Sequence, residues 1–181
     1  MKLIKIEDHQ IQITKELYTL LNASTCKEEN RAYISKPFYV KSLNKICAAS
    51  GNILTLTEEL TKPLPPETLY FNLHKEKKYF YLIPIKFPET PPNIEKILPD
   101  LKTLIPYKNG DLLTIPKDKT SFAFLIFDLF KFLEFPINLE FLNLIKGKEE
   151  FKLSHNDYKV QLDFASGVLF LMTGIKINKE S

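Results

Sequence analysis

Residues 84–106 read PIKFPETPPNIEKILPDLKTLIP, with prolines at Pro84, Pro88, Pro91, Pro92, Pro99 and Pro106. Each proline fixes φ and removes a backbone donor, so neither a strand ladder nor a long helix can run through such a stretch. The segment predicts a semi-rigid connector, with room for one short helical turn at Asn93–Leu98. As a bridge over residues 87–106 it divides the chain into halves at 1–86 and 107–178.

Working back from the bridge, Tyr79–Ile85 and Leu69–Leu73 read as strands around the polar turn His74–Lys78, and Leu60–Glu67 as loop. Lys45–Thr57 reads as a hairpin about Ser50-Gly51-Asn52, and Ala32–Val40 as a strand that Pro37 pushes to an edge. Thr14 is set to cap a helix over Lys15–Thr25, because Leu17, Leu20, Leu21 and Ser24 share one face. Leu3–Ile13 alternates as a strand or a hairpin turning at Glu7-Asp8-His9-Gln10.

Forward of the bridge, Asp111–Ile115 follows the Asn109-Gly110 turn as a strand. Thr120 or Ser121 is then expected to cap a helix over Phe122–Phe135. Its charges Asp128, Lys131 and Glu134 fall on one face, so the rest of that helix is expected to be buried. Pro136 stops it, Asn138–Lys146 forms a second short helix, and strands follow at Phe151–Ser154, Val160–Phe164 and Val168–Ile177. Both halves thus read strand, helix, three strands. The expected class is α+β: one domain over 1–181, built from two pseudo-symmetric halves with helices on one side of antiparallel sheets.

Composition sets the limits on function. The 181 residues are 44% hydrophobic and 26% charged, a globular balance that excludes a wholly disordered or collagen-like chain. Lys+Arg 25 against Asp+Glu 22 leaves a net charge of +3, so any nucleic-acid contact must come from a local patch. Arg31 is the single arginine among those basic residues. Cys26 and Cys47 are too few for a disulfide framework or a structural zinc, and read as thiols in a reducing compartment. Met1–Lys5 has no apolar stretch behind it and no run suits a membrane span, so a cytoplasmic protein with no membrane partner is expected.

No spacing gathers an active site. His9, His74 and His155 lie in expected turns without metal-spaced neighbours, so no metal is expected. Ser154, His155 and Asp157 crowd one turn, whereas a triad needs residues converging from separate elements. Glu58-Glu59 and Glu149-Glu150 would point to opposite faces of a strand, and no glycine-rich phosphate loop is present. The chain therefore reads as a non-enzyme, with no catalytic residue and no cofactor. Its basic residues are more informative. Lys27, Arg31 and Lys36 follow the first helix, and Lys75, Lys77 and Lys78 share a turn beside Tyr79 and Tyr81, as mobile phosphate-binding cations would.

Four segments, in order, resemble the bacterial sliding-clamp family, the β subunit of the replicative DNA polymerase, in short single-domain versions. Asn30-Arg31-Ala32-Tyr33-Ile34 looks like its Thr-Arg-Pro-x-Leu segment after the first helix. Ala48-Ala49-Ser50-Gly51-Asn52-Ile53-Leu54 stands where the family has Ala-Thr-Asp-Gly-His-Arg-Leu, with Ser50, Asn52 and Ile53 replacing its Asp, His and Arg. Phe87-Pro88 through Ile97-Leu98-Pro99 is similar to the family's connector. Leu169-Phe170-Leu171-Met172-Thr173-Gly174-Ile175 looks like its closing strand, with Thr173 for the final proline.

The resemblance implies a DNA clamp-like fold and a polymerase processivity or partner-docking role in DNA replication. It implies double-stranded DNA contacts at Lys27 and Arg31 and a groove for partner peptides at Met172. The implied partners are the replicative DNA polymerase or other replication proteins, together with copies of the chain itself. Full clamps hold three such domains per chain, so a ring of single-domain chains implies about six copies, a homo-oligomer. The exposed charges of the two longer helices nearly cancel. That favours an alternative, a regulatory or decoy protein that binds a replication protein without encircling DNA.

Overall fold

The computed structural model describes residues 1–7, 10–65, 67–147 and 149–174. The fold resolves into two units, Met1–Leu98 with Ser166–Phe170, and Pro99–Ala165 with the chain from Leu171.

In the first unit, β1 (Leu3–Glu7) pairs antiparallel with β2 (Gln10–Ile13), Glu7 opposite Gln10. The expected turn residues Asp8 and His9 lie outside the described residues. Helix α1 (Lys15–Ser24) starts where anticipated, because Thr14 Oγ1 accepts from Leu17 N–H at 3.3 Å. Its Leu17, Leu20, Leu21 and Ser24 are buried. The strands β3 (Phe38–Val40), β4 (Lys45–Ala49), β5 (Ile53–Leu56), β6 (Tyr70–Glu76) and β7 (Tyr79–Ile85) complete the unit, in the order β1-β2-β7-β6-β3-β4-β5. Helix α1 packs over β4, β5 and β7. Its last residue is tied to the sheet by a buried Ser24–Thr55 hydroxyl pair at 2.7 Å, which satisfies two polar groups that burial would otherwise penalise.

The second unit contains β8 (Ile105–Pro106), α2 (Lys119–Leu133), α3 (Leu139–Ile145), β9 (Phe151–Asn156), β10 (Lys159–Phe164) and, from Leu171 on, β11 (Leu169–Thr173), with strand order β11-β10-β9-β8. Asn138 caps α3 through its Oδ1 on Glu140 N–H at 2.9 Å. Every strand pairing with a recorded register is antiparallel, giving the α+β class.

Several expected elements differ. Of Ala32–Val40 only Phe38–Val40 is strand, since residues 29–34 wind into a 3-10 turn that Arg31 breaks at φ −120°, ψ 43°. Asp111–Ile115 supplies a single bridge, Leu113 with Phe151, because Lys108 and Asn109 both hold left-handed turns just before it and Pro116 follows it. The last strand is described to Thr173; its expected continuation over 175–177 lies outside the described residues. The connector carries two short 3-10 turns, at Ile94–Lys96 and Leu101–Thr103, capped by Asn93 and Asp100.

Helix α2 departs most. Asp118, not Thr120 or Ser121, is its cap, accepting from Ser121 N–H at 2.7 Å. Only Ile126, Leu129 and Leu133 are buried, while Phe124, Phe127 and Phe130 stand 69%, 58% and 39% exposed. The expectation that everything off the charged face is buried is therefore wrong. A helix rests on its unit along one stripe, and this sequence is apolar well beyond the width of that stripe.

Candidate nucleic-acid interface

Two loops of the first unit meet at the C-terminal end of α1. One is residues 25–34. Thr25 leaves the helix in an extended conformation, its hydroxyl donating to Asn22 O at 2.8 Å. Cys26 N–H then donates to Ile34 O at 3.0 Å, closing the loop on itself. The other is the β4–β5 turn. There Ser50 N–H donates to Ile53 O at 2.8 Å, and Ser50 Oγ accepts from Ile53 N–H at 3.3 Å. This is the turn chemistry that Ser-Gly-Asn announces.

Between them lies a cleft of about 430 Å³, lined by Thr25, Cys26, Lys27, Glu28, Arg31, Ser50, Gly51 and Asn52. Lys27 is exposed. Arg31 lies across the turn: a Cβ on Gly51 would stand 2.8 Å from its Nη1. The absent side chain at Gly51 is what lets the guanidinium lie there. Arg31 Nε also meets Glu28 Oε2 at 3.3 Å, in a pair exposed enough to add little stability but able to orient the fork. With two cations and one carboxylate, the cleft can accept an anionic group such as a phosphate, the Arg31 N–H groups not turned to Glu28 and the Lys27 ammonium being the available donors.

The structure thus brings Lys27 and Arg31 to one cleft. The wall formed by Ser50, Gly51 and Asn52 was absent from the expected site residues. The clue available was a glycine turn in a sequence with one arginine, but the approach of positions twenty residues apart is long-range. Lys75, Lys77 and Lys78 lie elsewhere, at the β6–β7 turn, where Lys75 Nζ sits 6.0 Å from the Phe80 ring and Lys78 Nζ 5.5 Å from Tyr79. Met172 is fully buried in β11, so a peptide groove there would have to open beside it and not on its side chain.

Among the described residues no hydrolytic arrangement forms around His155. Its ring packs against Phe132 and Phe135 with centroids 4.8 and 5.9 Å away, and its Nδ1 is buried without a hydrogen-bond partner. Burial lowers its pKa, opposed by the Glu134 charge. Burial raises the Cys47 thiol well above its usual value, so it is a packing residue and not a nucleophile. Among the described residues no three His, Cys, Asp or Glu side chains gather to hold a metal, and no helix is long and apolar enough to cross a membrane.

No protein-family model matches this chain, and no curated protein matches it by sequence. Solved structures do. The DNA polymerase III β subunit of Borrelia burgdorferi superposes with TM-score 0.56 at 8% identity, over 97% of this chain and 66% of that one. The β subunit of Thermotoga maritima gives TM-score 0.53 at 10% identity, over 98% and 68%. A Pseudomonas aeruginosa sliding clamp gives TM-score 0.53 at 8% identity, over 96% and 68%. This chain spans about two thirds of the length of the clamps it matches. Its fold is the α+β fold of bacterial DNA polymerase sliding clamps.

Proposed function

We propose that this chain is a non-enzymatic, cytoplasmic, clamp-like protein of DNA replication, a polymerase processivity or partner-docking factor that assembles with copies of itself on double-stranded DNA. One observation carries the reading: on a clamp fold, Lys27 and Arg31 converge on one cleft against the Ser50–Asn52 turn. The two units together form the clamp-like domain of that assembly, and the cleft takes duplex phosphates. A replicative polymerase or another replication protein docks a short peptide beside β11, next to the buried Met172.

Retention of a double-stranded oligonucleotide tests this. Wild type is expected to hold the duplex in low salt, and the double variant Lys27→Glu, Arg31→Glu to release it. A wild-type protein that never retains duplex sinks the DNA reading. The Glu28–Arg31 pair, which neutralises half of the cleft, favours a second reading: a regulatory or decoy protein that binds a replication protein directly. Recovery of polymerase from a lysate, unchanged by nuclease treatment and by the double variant, would select it.

A further inference from the structure

The basic and aromatic turn between β6 and β7 has no role in the site described above. The two strands meet across the loop Lys77-Lys78, with Glu76 opposite Tyr79 and His74 opposite Tyr81. Side chains alternate along a strand, and residues directly opposite in an antiparallel pair point to the same side of the sheet. Phe80 is buried against α1, its ring 5.0 Å from that of Tyr18, and Lys75 reaches over Phe80 on that side. Tyr79, Tyr81, His74 and Glu76 therefore share the face turned away from α1. Tyr79 is 43% exposed, His74 is exposed and Tyr81 half-buried, and the two tyrosine ring centres lie 6.5 Å apart. Gln12 of β2 pairs with Tyr81 on its other side, so β7 is an inner strand of the run β1-β2-β7-β6.

We infer that this face is a stacking platform for single-stranded DNA. Three flat side chains, Tyr79, Tyr81 and His74, lie together beside the two cations of the turn, Lys77 and Lys78. The chemistry selects the occupant. A base offers its π-face to an aromatic side chain only when it is not stacked between its neighbours, so displayed rings suit a single strand and not a duplex. Four-stranded nucleic-acid-binding sheets use aromatic residues in this way to stack two or three bases. The lysines complement the phosphates. Lys78 Nζ sits 5.5 Å from the Tyr79 ring centre, which places cation and stacking surface side by side, as phosphate and base are in a nucleotide. Lys77 is held at φ 50°, a left-handed position that glycine occupies at less cost, so backbone preference does not account for a lysine there. Glu76 opposes an anion on this face, but the two lysines outweigh its charge. An acidic peptide would satisfy the lysines and leave the rings without flat partners. The choice of DNA over RNA rests on the proposed role in replication.

Fluorescence anisotropy of a labelled oligo-dT of about 12 nucleotides tests this. Wild type is expected to bind it in low salt. Tyr79→Ala should weaken binding about 10-fold, and Tyr79→Phe should stay close to wild type, because the ring and not the hydroxyl stacks. Lys77→Gly should lower the salt slope by about 0.7 while melting no lower than wild type, since glycine suits the left-handed turn; this separates binding from folding. Glu76→Gln should bind more tightly. A wild type that does not bind oligo-dT, a Tyr79→Ala variant with wild-type affinity, or an unlabelled duplex that competes as well as the single strand overturns the inference. Oligo-rU that competes better than oligo-dT overturns the assignment to DNA. The double variant Lys27→Glu, Arg31→Glu should keep oligo-dT binding within a few-fold, and Tyr79→Ala should keep duplex retention. Failure of duplex retention alone therefore sinks the proposed duplex contacts and leaves the platform standing.

Discussion

At Gly51 the missing side chain does the structural work. The residue is not in the left-handed region, so a Cβ there brings no backbone strain. What it meets is the end of Arg31, 2.8 Å away, which must swing aside. Gly51→Ala is therefore expected to change folding stability by less than about 0.5 kcal/mol while lowering duplex affinity as far as Arg31→Ala does. Fluorescence anisotropy beside a thermal melt checks both; wild-type affinity in Gly51→Ala would show that Arg31 does not act from across the turn. His155 illustrates the opposite case, a polar group set among rings. Burial lowers its pKa, so the native state binds fewer protons than the unfolded chain as pH falls. The sign follows: stability is full above the ordinary histidine value and drops as pH falls below it toward the lower native value. Melts between about pH 7.5 and about pH 5.5 should show this loss, and His155→Leu should flatten it. An unchanged slope in that variant would assign the acid sensitivity to another group.

At the scale of elements, the sequence spoke wherever the deciding forces act within about four residues. Thr14 and Asn138 cap their helices because a side-chain oxygen reaches an N–H two or three positions on. Ser50-Gly51-Asn52 turns the β4–β5 hairpin for the same local reason. Asp118 shows how close such competition is, since the residues two and three positions on from it, Thr120 and Ser121, are also good caps. Where an outcome depends on what lies opposite, local pattern fails. Tyr33 and Ile34 have strand-forming side chains, yet the segment winds into a 3-10 turn, where Cys26 finds the Ile34 carbonyl. Ring after ring along α2 suggests interior, but the unit has one surface to offer a helix, and Phe124, Phe127 and Phe130 face outward. The candidate site divides the same way. Lys27 and Arg31 were named through the resemblance, whereas the turn that completes their cleft arrives by β4–β5 pairing. Met172 belongs to a strand whose middle three residues are all buried, a pattern that alternation alone does not yield.

For the molecule as a whole, the charge balance constrains the proposed hold on DNA. A net +3 from 25 cations and 22 anions provides no broad positive field, so retention must depend on a few placed contacts. On the proposed DNA reading, Lys27 and Arg31 would neutralise at most two phosphates per copy, each contributing about −0.9 to the slope of log affinity against log salt. One copy should therefore give a slope of about −2, and two copies engaged on one duplex about −4. Arg31→Ala should reduce the slope by about one for each copy in contact, so the same titration counts the copies on the DNA. A wild-type slope near −10 would mean that many more lysines touch the duplex, and the two-residue cleft would no longer account for binding.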